Sequence, residues 1–238
     1  MENPSLIIGD GNWATKESKL LGSSKILGKY LPVEIDTLRA SSATVVNENG
    51  VLENACYNLL SYSEEFDNSY WIKADATISS NVILAPDGNM TGDKLIGSNS
   101  TSQKAVYKAF NLSGNTFFSC HFKAGEFSNV GLKLAGATTA SFDLVTGTVI
   151  SQTNCVASIV PLKNGWYRCS VFTTTLTQYA WISIADNVTG NGTNGIYIWG
   201  AQLIEGTQER PYQATTNRLN FPRVDYTNGT PALLVEPQ

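Results

Sequence analysis

Charge is what this 238-residue chain has least of: Asp, Glu, Lys and Arg make up 15 % of it, where about 25 % is usual. The net charge is −4 and the isoelectric point about 5.0. Lys and Arg nowhere cluster. A nucleic-acid partner demands a basic patch to neutralise phosphates, so none is expected. No apolar run approaches the ~20 residues that span a bilayer as a helix, so no membrane insertion is expected. Histidine is nearly absent, with His121 alone, and the four cysteines (Cys56, Cys120, Cys155, Cys169) form no C-x-x-C pair. A thiolate zinc site is thereby disfavoured. So is catalysis by a Ser-His-Asp or Cys-His arrangement, and no Gly-x-Ser-x-Gly elbow is present. A glycosidase needs two carboxylates across a cleft, and the apolar segments hold few. The expectation is a protein that is not an enzyme and carries no cofactor.

Short alternating apolar segments fill the space that charge leaves. Hydrophobic residues reach 42 %. In Thr116-Phe-Phe-Ser-Cys-His-Phe-Lys-Ala124, Phe118, Cys120 and Phe122 share one face, and Phe117, Ser119, His121 and Lys123 the other. Val130, Leu132 and Leu134 repeat the pattern with Lys133 opposite. Ser141–Ile150 reads as two strands around Thr146-Gly147. Tyr167, Cys169 and Val171 alternate with Arg168 and Ser170, and Ile182 and Ile184 with Trp181 and Ser183. By alternation with Ala201 and Leu203, Tyr197 and Trp199 are predicted to face the core. Strands of this length separated by Gly, Asn and Asp favour an all-β antiparallel sandwich. Composition divides the chain into an N-terminal arm (1–55), a β domain (56–212) and a proline-containing connector (213–238). Within the arm, residues 13–27 read as a helix or an irregular segment. Asn49-Gly50 between Val45-Val46 and Val51-Leu52 reads as a hairpin.

Three segments carry a resemblance: Asn58-Leu-Leu-Ser-Tyr-Ser-Glu-Glu-Phe66, Gly165-Trp-Tyr-Arg-Cys-Ser170 and Tyr197-Ile-Trp-Gly-Ala-Gln-Leu203. Together with Asp36-Thr-Leu-Arg-Ala-Ser-Ser-Ala-Thr44, Trp71, Ala85-Pro-Asp-Gly88, Ala124-Gly125 and Ser141-Phe-Asp-Leu-Val-Thr-Gly147, and taken in chain order, they resemble the carbohydrate-binding-module-like jelly-roll domains of bacteriophage virion proteins. The resemblance covers residues 36–238 and is strongest over 56–212. It implies a jelly-roll β-sandwich on a head or tail fibre or appendage, located in the virion and made in the host cytoplasm. The implied partners are other virion proteins, sister subunits in a homotrimer and bacterial surface glycans. The alternative is an accessory carbohydrate-binding module of a larger polysaccharide-degrading phage protein. Folding in a bacterial cytosol would leave all four cysteines as free thiols. The opening Met-Glu-Asn-Pro-Ser-Leu does not read as a secretory signal, so export in a particle or by lysis is expected. In such proteins a run like the one ending at Gln238 leads into a further module, so the resemblance implies either a continuation beyond it or a genuine terminus there.

Sugar binding needs aromatic rings for stacking and amide, carboxylate or hydroxyl groups for the ring hydroxyls. Trp181, outward on its strand, is the first candidate, and packing beneath the arm or in a subunit interface is its other reading. Phe117, His121 and Lys123 are predicted on an outward face that Trp181 shares. His121 also reads as a solvated or interface residue. Gln202, predicted on the face of Ile198 and Gly200, reads either as a sugar ligand or as a partner for backbone. Trp71 and Trp166 read as caps of the sandwich ends. Glu65 and Asp67, with Glu64, crowd the domain entrance, where jelly rolls of the resembled kind hold a structural calcium; solvated acids are the other reading.

Overall fold

The computed structural model describes residues 58–184, 188–207 and 209–216, together with the backbone of eight strands outside that range. Cys56 lies outside the described residues. The chain forms two compact units, Met1–Tyr57 with Tyr212–Gln238, and Asn58–Pro211.

Before residue 58, the described backbone of the first unit is β throughout. Its strands are β1 (Leu6–Ile7), β2 (Ala14–Lys16), β3 (Lys19–Ile26), β4 (Lys29–Ile35), β5 (Thr44–Val46) and β6 (Leu52–Asn54). β3 pairs antiparallel with β1, β2 and β4, so the helical option for residues 13–27 is overturned. The reason is local: β3 contains Gly22, Ser23 and Ser24, which favour helix weakly, and its partner β4 holds Tyr30, Val33 and Ile35. β5 and β6 form the hairpin that Asn49-Gly50 predicts.

The second unit is a jelly-roll-like β-sandwich. It comprises β7 (Ile72–Ala74), β8 (Ala76–Ile83), β9 (Gly92–Gly97), β10 (Ala105–Leu112), β11 (Thr116–Lys123), β12 (Asn129–Ala135), β13 (Thr138–Asp143), β14 (Thr148–Thr153), β15 (Val156–Pro161), β16 (Trp166–Thr173), β17 (Thr177–Ile184) and β18 (Gly195–Glu205). Two short strands of the first unit, β19 (Val224–Asp225) and β20 (Ala232–Leu233), follow and pair with each other. Sheet I has the order β14-β13-β12-β17-β10-β7, and sheet II the order β15-β16-β11-β18-β9-β8, all antiparallel. Val106, Val130, Leu132, Leu134, Phe142, Ile182 and Ile184 of sheet I face Leu95, Phe118, Cys120, Phe122, Val171, Ile198 and Leu203 of sheet II, all buried in one core. The alternation read from β11, β12, β16 and β17 holds. Cys120 and Cys169 sit opposite each other on β11 and β16, buried, and both are free thiols, as is Cys155.

The first and third motif segments dock on each other. β9 covers the edge of β18 only from Gly195 to Ile198. Residues 58–63 take over beyond it: Leu59 N–H donates to Leu203 O at 2.8 Å and Ala201 N–H to Ser63 O at 2.9 Å. Asn58 fastens this junction. Its Nδ2 donates to Ala201 O, and its Oδ1 accepts from the N–H groups of Leu203 and Leu60. Phe66 and Trp71 then close one end of the core, their rings 5.0 Å apart. Trp166, of the second segment, is buried with its indole N–H on Leu84 O at 3.0 Å.

One strand breaks its own alternation. Gly200 in β18 has φ +59°, and the pairing of β11 with β18 shifts register between Ser119 and His121. This is a bulge, and glycine supplies the left-handed residue it needs. Side chains before and after it lie in opposite phase. Ile196, Ile198, Ala201 and Leu203 all point into the core. Tyr197, Trp199 and Gln202 therefore point away from it, which corrects the predicted core face of Tyr197 and Trp199, although Trp199 is itself buried with its indole N–H on Thr91 Oγ1 at 3.0 Å. Gln202 keeps the face opposite Ala201 and Leu203 and loses only the predicted company of Ile198.

Candidate ligand-binding face

Trp181 is outward on β17, in the middle of sheet I. Register places one residue from each strand beside it: Ile72 on β7, Tyr107 on β10, Lys133 on β12, Thr139 on β13 and Thr153 on β14. The rings of Tyr107 and Trp181 stack with centroids 4.6 Å apart, and Tyr179 lies 5.9 Å from Trp181 on its own strand. Lys133 Nζ is 5.5 Å from the centre of the Trp181 ring and donates to Gln103 Oε1 at 3.1 Å. These side chains are partly exposed, and Ile72 is exposed. The Trp181 indole N–H is buried without an acceptor among the described residues.

A row of small residues runs parallel to the first, two positions along each strand: Ala74, Ala105, Ser183, Gly131, Ser141 and Ser151. The row makes a shallow floor beside the taller rings. Gly131 keeps it shallow, because a Cβ there would come within 2.7 Å of Ser183 Oγ. The hydroxyls of Ser141 and Ser151 meet at 2.6 Å on the floor's outer part. Ala105 and Ser183 of this row are buried, so sheet I presents stacked rings, one cation and, on β13 and β14, the hydroxyls of Thr139, Ser141, Ser151 and Thr153. Tyr107 and Tyr179 were not among the expected site residues. Alternation in Ala105-Val-Tyr-Lys-Ala, with Val106 inward, is the signal that finds Tyr107.

Phe117, His121 and Lys123 do not join this face. They are on β11, in sheet II, and point from the opposite side of the sandwich to Trp181. Alternation within one strand gives its two faces, but which sheet a strand enters depends on long-range pairing. Phe117 packs against Phe172 of β16 with ring centroids 4.5 Å apart, and Lys123 lies between Trp166 and Tyr197 in register. His121 has the outward parity expected but is buried, which overturns a solvated histidine. Its Nδ1 lies 3.0 Å from Gly200 O and 3.3 Å from Trp199 O. Carbonyls only accept, so Nδ1 carries the proton. Burial, and then the charge of Arg168, push its pKa down to about 4.

Gln202 is also buried. Its Nε2 donates to the carbonyls of Arg210 and Pro211 at 3.2 and 3.1 Å. Arg168 donates to Arg210 O at 2.8 Å and to Ser119 Oγ, and pairs with Glu209 at 3.3 Å. Of its two readings, Gln202 takes the backbone one, holding residues 210–211 against sheet II.

At the domain entrance Glu65 and Asp67 are exposed. The buried acid there is Asp93, which accepts from Phe66 N–H at 3.0 Å and Asn81 N–H at 2.9 Å. Burial pushes its pKa up to about 6; the two N–H groups oppose this, and the charges of Asp67 and Glu65 add to it. Among the described residues no group of three or more His, Cys, Asp or Glu side chains is placed to hold a metal ion. No protein-family model matches this chain, and no curated protein sequence matches it.

Proposed function

We propose that this chain is a non-enzymatic structural protein of a bacteriophage virion, a component of a head or tail fibre or appendage, whose sandwich serves assembly and attachment to host surface glycans. The virion setting is supported by the ordered motifs that resemble phage jelly rolls. The observation that carries glycan attachment is the row Ile72, Tyr107, Trp181 and Lys133 across sheet I. Stacked, partly exposed rings with the hydroxyls of β13 and β14 in the same rows suit the apolar faces and hydroxyl rims of sugar rings. Lys133 has a neutral amide, not a carboxylate, for its partner. The ligand favoured is a glycan bearing an acidic sugar. Several copies on one particle would raise weak single-site affinity through avidity.

The test is binding of the full chain, displayed in multiple copies, to an array of neutral and acidic bacterial surface polysaccharides. Wild type is compared with Trp181→Ala, and circular dichroism confirms the fold. Specific binding lost in Trp181→Ala is the expected result. No binding by either protein sinks the attachment role and leaves assembly.

A further inference from the structure

A second surface lies at one side of the sandwich and does not depend on the glycan reading. β14 ends sheet I and β15 ends sheet II, and they are consecutive in the chain. Both edges therefore belong to one stretch, residues 144–162, which contains no Asp, Glu, Lys or Arg. Within it Val145, Ile150, Val156, Val160 and Leu162 are exposed, half of the large apolar side chains exposed among the described residues. β17 and most of β18 are also free of charge, but they are central strands, with neighbours on both sides. At an edge the lack is unusual, because exposed edges ordinarily carry charges, prolines, bulges or very short strands against unwanted pairing, and β15 has of these Pro161 at its end, beyond the run Val156–Val160. The opposite side of the sandwich has those guards. β7 is three residues long and holds Lys73, Asp75 follows it, and β8 breaks register around Asn81, which has φ +57°. β15 instead pairs with β16 over six consecutive residues without a shift.

We infer that β15 is the edge through which two copies of this chain pair, antiparallel, about a two-fold axis at Ser158. Ala157 N–H points to the free edge, since Gln152 Oε1 accepts it at 2.8 Å. Edge-directed groups alternate along an antiparallel strand, so Ile159 also presents its N–H and C=O outward. The axis sets Ala157 opposite Ile159 of the second copy, and the reverse, each pair exchanging two hydrogen bonds. Val156 then meets Val160 of the second copy, and Ser158 meets its own counterpart. The run Val156-Ala-Ser-Ile-Val160 matches apolar with apolar under this operation, as an isologous interface requires. Charge points to a second copy as the occupant. Each chain carries a net −4, so copies repel except where they meet through an uncharged surface, and a basic partner would find no acid here. Gln152 must release Ala157 for the ladder to form. The assembly is then even-numbered, in place of the homotrimer that the resemblance implies.

The test is the molar mass of the full chain by light scattering over a concentration series, for wild type, Ser158→Lys, Ser158→Glu and an equal mixture of the two variants. Ser158 is exposed, so both variants are expected to fold, which circular dichroism checks. In a non-hydrogen-bonded pair the two Cα atoms stand about 4.5 Å apart, so like charges at 158 oppose pairing. Expected are a dimeric wild type, two monomeric variants and a dimer restored by mixing. A monomeric wild type, or an assembly of any order that Ser158→Lys leaves intact, overturns the inference. Variants that dissociate and fail to pair on mixing overturn the axis at Ser158.

Discussion

Tyr107 and Trp181 stand directly opposite each other on β10 and β17, their rings stacked 4.6 Å apart and 26° from parallel. The pair is held by its neighbours on both strands, so little side-chain freedom remains to be lost when a ligand settles on it. A double-mutant cycle of Tyr107→Ala and Trp181→Ala in urea unfolding should give a coupling of about 0.5–1.5 kcal/mol. Each single variant should also weaken glycan binding. Coupling indistinguishable from zero would show that the rings are neighbours without being a unit.

Lys133 tests the chemistry of the ligand. Its ammonium lies beside the Trp181 ring and donates to the Gln103 amide oxygen. Lys133→Met keeps the bulk of the stem and removes the charge. The expectation is lost preference for acidic over neutral glycans and a flatter dependence of binding on salt, with stability little changed. Equal loss for both glycan classes in binding isotherms would assign Lys133 to packing instead.

Much of the sandwich was legible before the structure, because a side chain on a half-buried strand must alternate. Phe118, Cys120 and Phe122 on β11, and Ile182 and Ile184 on β17, sit where alternation puts them. Two things lay beyond that signal. The first is sheet membership: Phe117 and Trp181 are both outward, but on opposite sheets, because β11 pairs with β16 and β18 while β17 pairs with β10 and β12. The second is the phase flip in β18. Gly200 within an apolar strand is itself a bulge signal, and counting through it inverted Tyr197 and Trp199, while Gln202, on the same side of the bulge as Ala201 and Leu203, kept its face. Within the site, Trp181 was found from its strand alone, whereas its stack with Tyr107 exists only through β10–β17 register.

Gly200 should resist replacement. Its φ of +59° is left-handed, where a Cβ costs about 1–2 kcal/mol. Gly200→Ala is expected to lower stability by that amount. It should also loosen His121, whose ring N–H is bonded to Gly200 O. Thermal unfolding reads the first effect, and the His121 ring signals in NMR read the second.

Asn58 is the rivet between the domain entrance and β18. Asn58→Ala removes three hydrogen bonds from a buried junction and leaves the Leu203 N–H and Ala201 O without that partner. At about 1 kcal/mol for each bond the loss is about 3 kcal/mol. Asn58→Asp keeps the acceptor for the Leu60 and Leu203 N–H groups and loses the donor to Ala201 O, so it should fall between wild type and alanine. Urea midpoints in that order would support the assignment, and an unchanged midpoint for Asn58→Ala would remove it.

Acid should expose two buried groups that act in opposite directions. His121 titrates near 4 when folded and near 6.5 when unfolded, so as pH falls below 6.5 the unfolded chain takes up its proton first. Its contribution is whole above 6.5 and is lost on the way down to about 4, at most about 3 kcal/mol. Asp93 has the reverse order, near 6 folded and 3.8 unfolded. Below 6 the folded chain binds that proton first, so stability grows as pH falls towards 3.8 and is lost as pH rises through 6. Between 6 and 4 the two largely cancel. His121→Gln should therefore gain stability on acidification across this window, while Asp93→Asn should lose it more steeply than wild type. The check is urea unfolding of all three proteins at steps from about pH 7 to about pH 4. Slopes that coincide for wild type and both variants would show that neither group controls the acid limb.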